Sequence, residues 1–130
     1  MILCSGAFDY VHSGHTRYLL AARALDPSAL LLVAIAPDSY IRTVKGREPG
    51  WNQKCRMQTV AALQGVDGVI AQKETSVADL IRLLRPRWFV KGRDWQAQLP
   101  SDVIAACEAV GAQMMFTDTE ATHTSEVLID

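Results

Sequence analysis

Two of the chain's three histidines, His12 and His15, stand three residues apart around Gly14. They lie where an apolar run, MILCS, hands over to a helix-like stretch, TRYLLAARAL. A helix N-terminus leaves backbone N–H groups unsatisfied and carries partial positive charge, so it draws anions such as phosphate. Residues three apart at a helix entry project to the same side. An imidazole donates a hydrogen bond to a phosphoryl oxygen, more strongly when protonated. Gly14 lets the chain approach a ligand with no Cβ in the way. The pattern fits stabilisation of a negatively charged, five-coordinate phosphorus. Two other readings stand beside it. The pair could be structural, or it could bind a metal, with only His123 and scattered carboxylates left to complete the site. A dinucleotide-binding turn would need G-x-G-x-x-G here, and those glycines are absent.

The elements that must carry these residues alternate regularly. Short apolar runs predict strands at MILCS (1–5), LLLVAIA (30–36), VDGVIA (66–71), RWFVK (87–91) and QMMFT (113–117). Runs apolar on both faces suit a parallel sheet covered on both sides. Helices are expected between them. The first covers Thr16 to Leu25 and is closed by Pro27; the second follows Asn52 as cap and reaches about Leu63. The third follows Ser76 and ends at Pro86, the fourth follows Ser101 and closes at Gly111, and a last short one starts near Thr124. This order predicts an α/β fold, a Rossmann-like three-layer α/β/α arrangement with a five-stranded parallel sheet, built as a single domain over 1–130. In such sheets ligands bind at the carboxyl ends of the strands, near the point where strand order reverses. The loop VKGREPGW (44–51) is the one conspicuous irregular segment.

Composition narrows the classes of function. The net charge is −1 and no block of Lys or Arg occurs, so a general nucleic-acid partner is not expected. Basic residues do gather at Arg42, Lys45, Arg47, Lys54 and Arg56, and again at Lys91 and Arg93; a solvated surface would look the same. Cys4, Cys55 and Cys107 are odd in number and far apart, which argues against a disulfide framework and a structural zinc site. Each is read as a small, partly buried apolar residue in a reducing compartment. Trp51 and Trp88 are read as packing. No basic n-region precedes the first apolar run, and ALLLVAIA is too short to cross a bilayer, so a soluble, cytoplasmic protein without membrane partners is expected.

Several ordered motifs carry a resemblance. GAFDYVHSGH resembles the G-x-F-D-x-x-H-x-G-H signature of the cytidylyltransferase-like nucleotidyltransferase superfamily. TVKGREP is similar to that group's lysine-bearing loop, and KCRMQTVAALQGVDGVI to its arginine-bearing helix leading into a strand. IRLLRPRWFVKGRDW resembles its R-P-x-x-x-V-K-G-x-D-[WY] segment. The wording is most similar to adenylyltransferase domains of the ADP-heptose synthase type, while KGRDW, with its Trp, also resembles glycerol-3-phosphate cytidylyltransferases.

The resemblance implies transfer of AMP or CMP from ATP or CTP, with Mg²⁺, to a phosphorylated small molecule, and release of pyrophosphate. By similarity, His12 and His15 contact the nucleotide phosphates, and neither is a nucleophile. Lys45 binds the α-phosphate or the substrate phosphate, and Arg56 holds substrate or nucleotide phosphate. Gly6, Ala7 and Phe8 let backbone amides meet the nucleotide beside Gly14. Lys91, Gly92 and Asp94 lie where base and ribose are expected, with Asp94 either accepting from them or capping a turn. Trp95 flanks the base or substrate, or seals the core. Asp9 orients the histidine turn or serves the turn alone. No residue is assigned to hold a metal, and a homodimer is implied. The group's last element, S-T-T-x-[IL], differs here. In ATHTSEVLID, Thr124 and Ser125 take the last two hydroxyl positions, Glu126 the variable one, and His123 the place of the first serine. That departure motivates a second reading, a nucleotide-binding regulatory module with the fold and no turnover.

Overall fold

The computed structural model describes residues 1–118. The expected C-terminal helix, with His123, Thr124, Ser125 and Glu126, lies outside them. Five strands form one parallel sheet: β1 Ile2–Gly6, β2 Leu31–Ile35, β3 Gly68–Ala71, β4 Trp88–Gly92 and β5 Gln113–Thr117, in the order β3-β2-β1-β4-β5. The expected fold class is the observed one, with every expected strand present within two residues.

β1 is central and buried on both faces. Ile2 and Cys4 join Leu19, Val33 and Val60 in the layer under α1 (Ser13–Leu25) and α3 (Gln53–Ala61). Leu3 joins Ala34, Ile81, Phe89 and Ala106 under α4 (Ala78–Leu84) and α5 (Ser101–Val110). Alternate side chains thus serve opposite layers, which is why the strand reads as a continuous apolar run.

The helix ends follow local chemistry. The Asn52 side chain caps α3 by accepting from Cys55 N at 2.9 Å, as expected. Gly111 closes α5 with φ +72°, a conformation that costs glycine least. Ser76 stands one residue before the cap position of α4, its hydroxyl accepting from Ala78 N at 3.1 Å, and Ser101 is the first residue of α5 with Pro100 ahead of it.

One helix was not legible in the sequence: α2, Asp38–Val44, which leads into the 44–51 loop. It runs seven residues and buries only Ile41, so it presents no apolar stripe to read. Two other expectations are corrected. Trp51 is 57% exposed rather than packed, and Cys55 is exposed, whereas Cys4 and Cys107 are buried. No helix among the described residues is long and apolar enough to cross a membrane.

Candidate active site

Strand order reverses at β1, between its neighbours β2 and β4, and the strand ends open there. β1 pairs with β2 through Gly6, but with β4 only as far as Cys4 and Val90. Beyond that point the buried Tyr18 hydroxyl stands between the strands. It accepts from Ser5 N at 3.2 Å and donates to the Val90 carbonyl. Lys91 Nζ donates to the Ser5 carbonyl at 3.0 Å and lies 4.5 Å from the centre of the Trp95 ring. A phenol and an ammonium thus replace the strand-to-strand bonds between β1 and β4. Burial pulls the Lys91 ammonium down to about 8, with the nearby charge of Asp94 working against that fall.

The polar cavity above this gap has a volume of about 590 Å³ and is walled by the β1–α1 turn, the 44–51 loop and the end of β4. His12 is the N-cap of α1, one turn earlier than the helix was expected to begin. Its Nδ1 accepts from Gly14 N at 3.0 Å, and its own backbone N–H donates to His15 Nδ1 at 3.1 Å. The two histidines form a reciprocal capping box, a part normally played by Ser or Thr with Glu or Gln. The rings stand 4.1 Å apart, with Phe8 5.0 Å from His15.

This geometry fixes the tautomers. A nitrogen that accepts a hydrogen bond carries no proton, so each neutral ring holds its proton on Nε2. That leaves two Nε2–H donors for a ligand at the positive end of a thirteen-residue helix. Gly14 also serves the cap: a Cβ there would lie 2.7 Å from Cε1 of His12. The glycine makes room for the capping imidazole itself.

His15 is held neutral as well. Burial first, then the neighbouring His12 and Lys45, lower its pKa from 6.5 to about 4. In the unfolded chain the same proton binds near 6.5, so between these values the unfolded state holds more protons and stability falls as the pH drops from 6.5 to 4. Urea titrations across this range should show a steeper acid loss for the native chain than for His15→Gln. Glutamine keeps the capping acceptor but does not titrate. Parallel curves would place the His15 pKa at its ordinary value.

Known proteins place the chain in a family. The model of the cytidylyltransferase-like family matches residues 3–127. The chain belongs to that family, a family of nucleotidyltransferases. It is 35% identical to the bifunctional protein HldE of Coxiella burnetii over 111 residues, 85% of this chain and 22% of that protein. It is 33% identical to HldE of a Bradyrhizobium strain over 129 residues, 97% of this chain and 25% of the relative. The chain therefore spans about a quarter of the length of these curated relatives. A lipopolysaccharide core biosynthesis protein from Thermoplasma volcanium superposes with a TM-score of 0.72 at 24% identity, over 90% of this chain and 95% of that one, which shows the shared fold.

Within this cytidylyltransferase-like cleft most of the expected residues come together. Gly6, Ala7, Phe8, His12, Gly14, His15, Lys45, Lys91, Gly92 and Asp94 all line it, as does Trp95. Lys45 is exposed and ends α2 at the start of the loop. Phe8 has φ +52°, an uncommon conformation for a bulky residue, which turns the chain out of β1 toward the histidines.

Arg56 is the correction. It is 1% exposed and lies beneath the cleft, not in it. Its guanidinium donates to the carbonyls of Ala7, Ala36 and Trp51 and to Asp38 Oδ1, all at 2.7–2.9 Å. Four of its five N–H donors are engaged and the side chain is fully buried, so it offers no surface to a phosphate. Arg56 instead ties together the ends of β1 and β2, the loop and α2.

Asp9 does comparable work one layer up. Its carboxylate accepts from Gly50 N, Trp51 N and Arg47 Nη1 at 2.9, 3.0 and 2.6 Å, fastening the lysine-bearing loop to the histidine turn. Burial works against the charged carboxylate, but those three bonds outweigh it and its pKa lies below the usual range.

Sequence reasoning gave no role to Arg17 or Tyr40 and named Arg47 only among clustered basic residues; all three line the cleft. Arg17 Nε is buried with no hydrogen-bond partner among the described residues. Arg17 stands two residues beyond His15, and its charge at the cleft wall suits an anion.

Proposed function

We propose that the chain transfers AMP or CMP from ATP or CTP to a phosphorylated small molecule, a sugar phosphate or an alcohol phosphate. An oxygen of the acceptor phosphate attacks the α-phosphorus, the bond to the β-phosphate oxygen breaks, and pyrophosphate leaves. Little covalent work falls to the protein; it must align the reactants and meet the charge on the transferring group.

The observation that carries this reading is the histidine capping box. Two neutral Nε2–H donors, set beside Lys45 at the start of α1, suit the oxygens of an α-phosphate as charge builds on them. Neutral rings donate without themselves taking a proton, and the cations that offset charge are Lys45, Arg17 and Lys91. Asp94, exposed at the cleft wall, suits a role toward the ribose or base.

Mg²⁺ would enter with the triphosphate and offset charge on the departing pyrophosphate. Among the described residues no group of three or more His, Cys, Asp and Glu side chains could hold a metal, so its ligands would be largely phosphate oxygens and water.

Thermal unfolding with Mg²⁺ and each of ATP, CTP, GTP and UTP tests the reading. At a hundredfold excess over Kd a bound nucleotide adds about 2.7 kcal/mol, visible as a rise of several degrees in Tm. A rise with ATP or CTP, absent in His12→Ala, is expected, followed by pyrophosphate release in a screen of phosphate monoesters. A rise without release for any ester would favour the regulatory module. No rise with any nucleotide would overturn the assignment.

A further inference from the structure

The split between β1 and β4 is local. Past Cys4 and Val90 both strands keep their outer partners: Ser5 and Gly6 pair with Ala34 and Ile35 of β2, and Lys91 and Gly92 with Phe116 and Thr117 of β5. What stops is the bonding between them. Ile2 N donates to the Leu30 carbonyl, and the Gly6 carbonyl accepts from Ala36 N. Alternate residues of β1 thus face β2, and Ser5 turns both of its backbone groups to β4.

Continuing the Cys4–Val90 register by one residue would join Ser5 N directly to the Val90 carbonyl, and Gly92 N to the Ser5 carbonyl. Side chains occupy both bonds. The Tyr18 hydroxyl accepts from Ser5 N at 3.2 Å and donates to the Val90 carbonyl. Lys91 Nζ reaches the Ser5 carbonyl at 3.0 Å, where Gly92 N would otherwise stand. Tyr18 is therefore inserted into a ladder bond rather than placed beside it. Burial raises its pKa well above the ordinary value, so the phenol keeps the proton it donates while its oxygen accepts. Its ring packs on Phe8, with centroids 6.5 Å apart, and Phe8 in turn lies 5.0 Å from the His15 ring.

We propose that Tyr18 is a positioning residue, whose inserted hydroxyl keeps the β1–β4 fork open and so holds the Lys91 ammonium at the floor of the cleft. The inference rests on the transferase reading only for what Lys91 then does, which is to meet nucleotide phosphate charge. Without the hydroxyl, Ser5 N and the Val90 carbonyl would be a buried donor and acceptor facing one another along a ladder already in register. Bonding directly satisfies both. Gly92 N then stands next in line for the Ser5 carbonyl, and Lys91 loses its anchor.

NMR of the whole chain tests the insertion. In the native protein a slowly exchanging Tyr18 hydroxyl proton should show a strong NOE to the Ser5 amide proton. No scalar coupling across a hydrogen bond should join Ser5 N to the Val90 carbonyl carbon. In Tyr18→Phe that coupling should appear. In Lys91→Met it should stay absent, because the hydroxyl and not the ammonium holds the fork. Calorimetry with Mg²⁺ and ATP or CTP reads the consequence. Each single substitution should raise Kd by about tenfold, the scale of one charge-assisted contact, and the double variant should raise it no further. A residue that served folding alone would add its loss to that of Lys91→Met. The coupling present in the native chain, absent in Tyr18→Phe or gained in Lys91→Met would overturn the proposal, as would additive losses in Kd. Should Tyr18→Phe fail to fold, the native chain and Lys91→Met still decide it. Failure of the native chain to bind either nucleotide would remove the transferase reading and leave the fork to the NMR.

Discussion

Replacing His15 by alanine is expected to lower kcat by about a hundredfold to a thousandfold, the usual cost of removing one donor aimed at transition-state charge. Nucleotide Kd should change far less, because the ground-state phosphate is less charged at the oxygen the ring meets. The substitution also removes the acceptor for His12 N, half of the capping box, which should cost about 0.5–2 kcal/mol of stability. His15→Gln separates the two effects. Glutamine is a natural residue at this capping position, so stability should return while kcat recovers only in part. Equal losses in kcat and in affinity for His15→Ala would mean uniform binding and would remove the transition-state role. Full recovery of kcat by glutamine would reduce His15 to a cap.

The second large effect concerns Arg56. Removing its side chain strands three carbonyls and the Asp38 carboxylate at the base of the cleft. Urea unfolding of Arg56→Ala should show a loss of about 3–5 kcal/mol, the scale for breaking a buried charged network from one side. Arg56→Lys should recover little, since an ammonium cannot reproduce a planar fork serving four acceptors. Unchanged stability with weakened phosphate binding would return Arg56 to the substrate and contradict its placement here.

The contrast between these two residues shows what could be read in advance. β1 was legible because it is buried on both faces, and the histidine turn because strand, glycine and helix start fall in one short stretch. Arg56 was misread because a motif gives residue type and spacing, not the direction of a side chain. One signal was available: Arg56 lies four residues before Val60 on α3, so the two share the inward face, and both are buried. The tautomers were beyond reach, since nothing in H-x-G-H says that the first histidine caps the helix. Arg17 carried a weaker signal, a cation one turn into a helix whose start already pointed at an anion. The link from Asp9 to Gly50 and Trp51 spans some forty residues and is set by tertiary contact alone.

Two neutral histidines donating through Nε2 to a nucleotide phosphate are the centre of the proposed transfer. A long-range ¹H–¹⁵N correlation spectrum of the histidine rings, recorded at pH 7 with and without Mg²⁺ and ATP or CTP, reads that directly. His12 and His15 should both appear as Nε2–H tautomers with unprotonated Nδ1 in the free chain. Both Nε2 resonances should move when the nucleotide is added. An Nδ1–H tautomer at either residue, or Nε2 resonances indifferent to a nucleotide that calorimetry shows to bind, would contradict it.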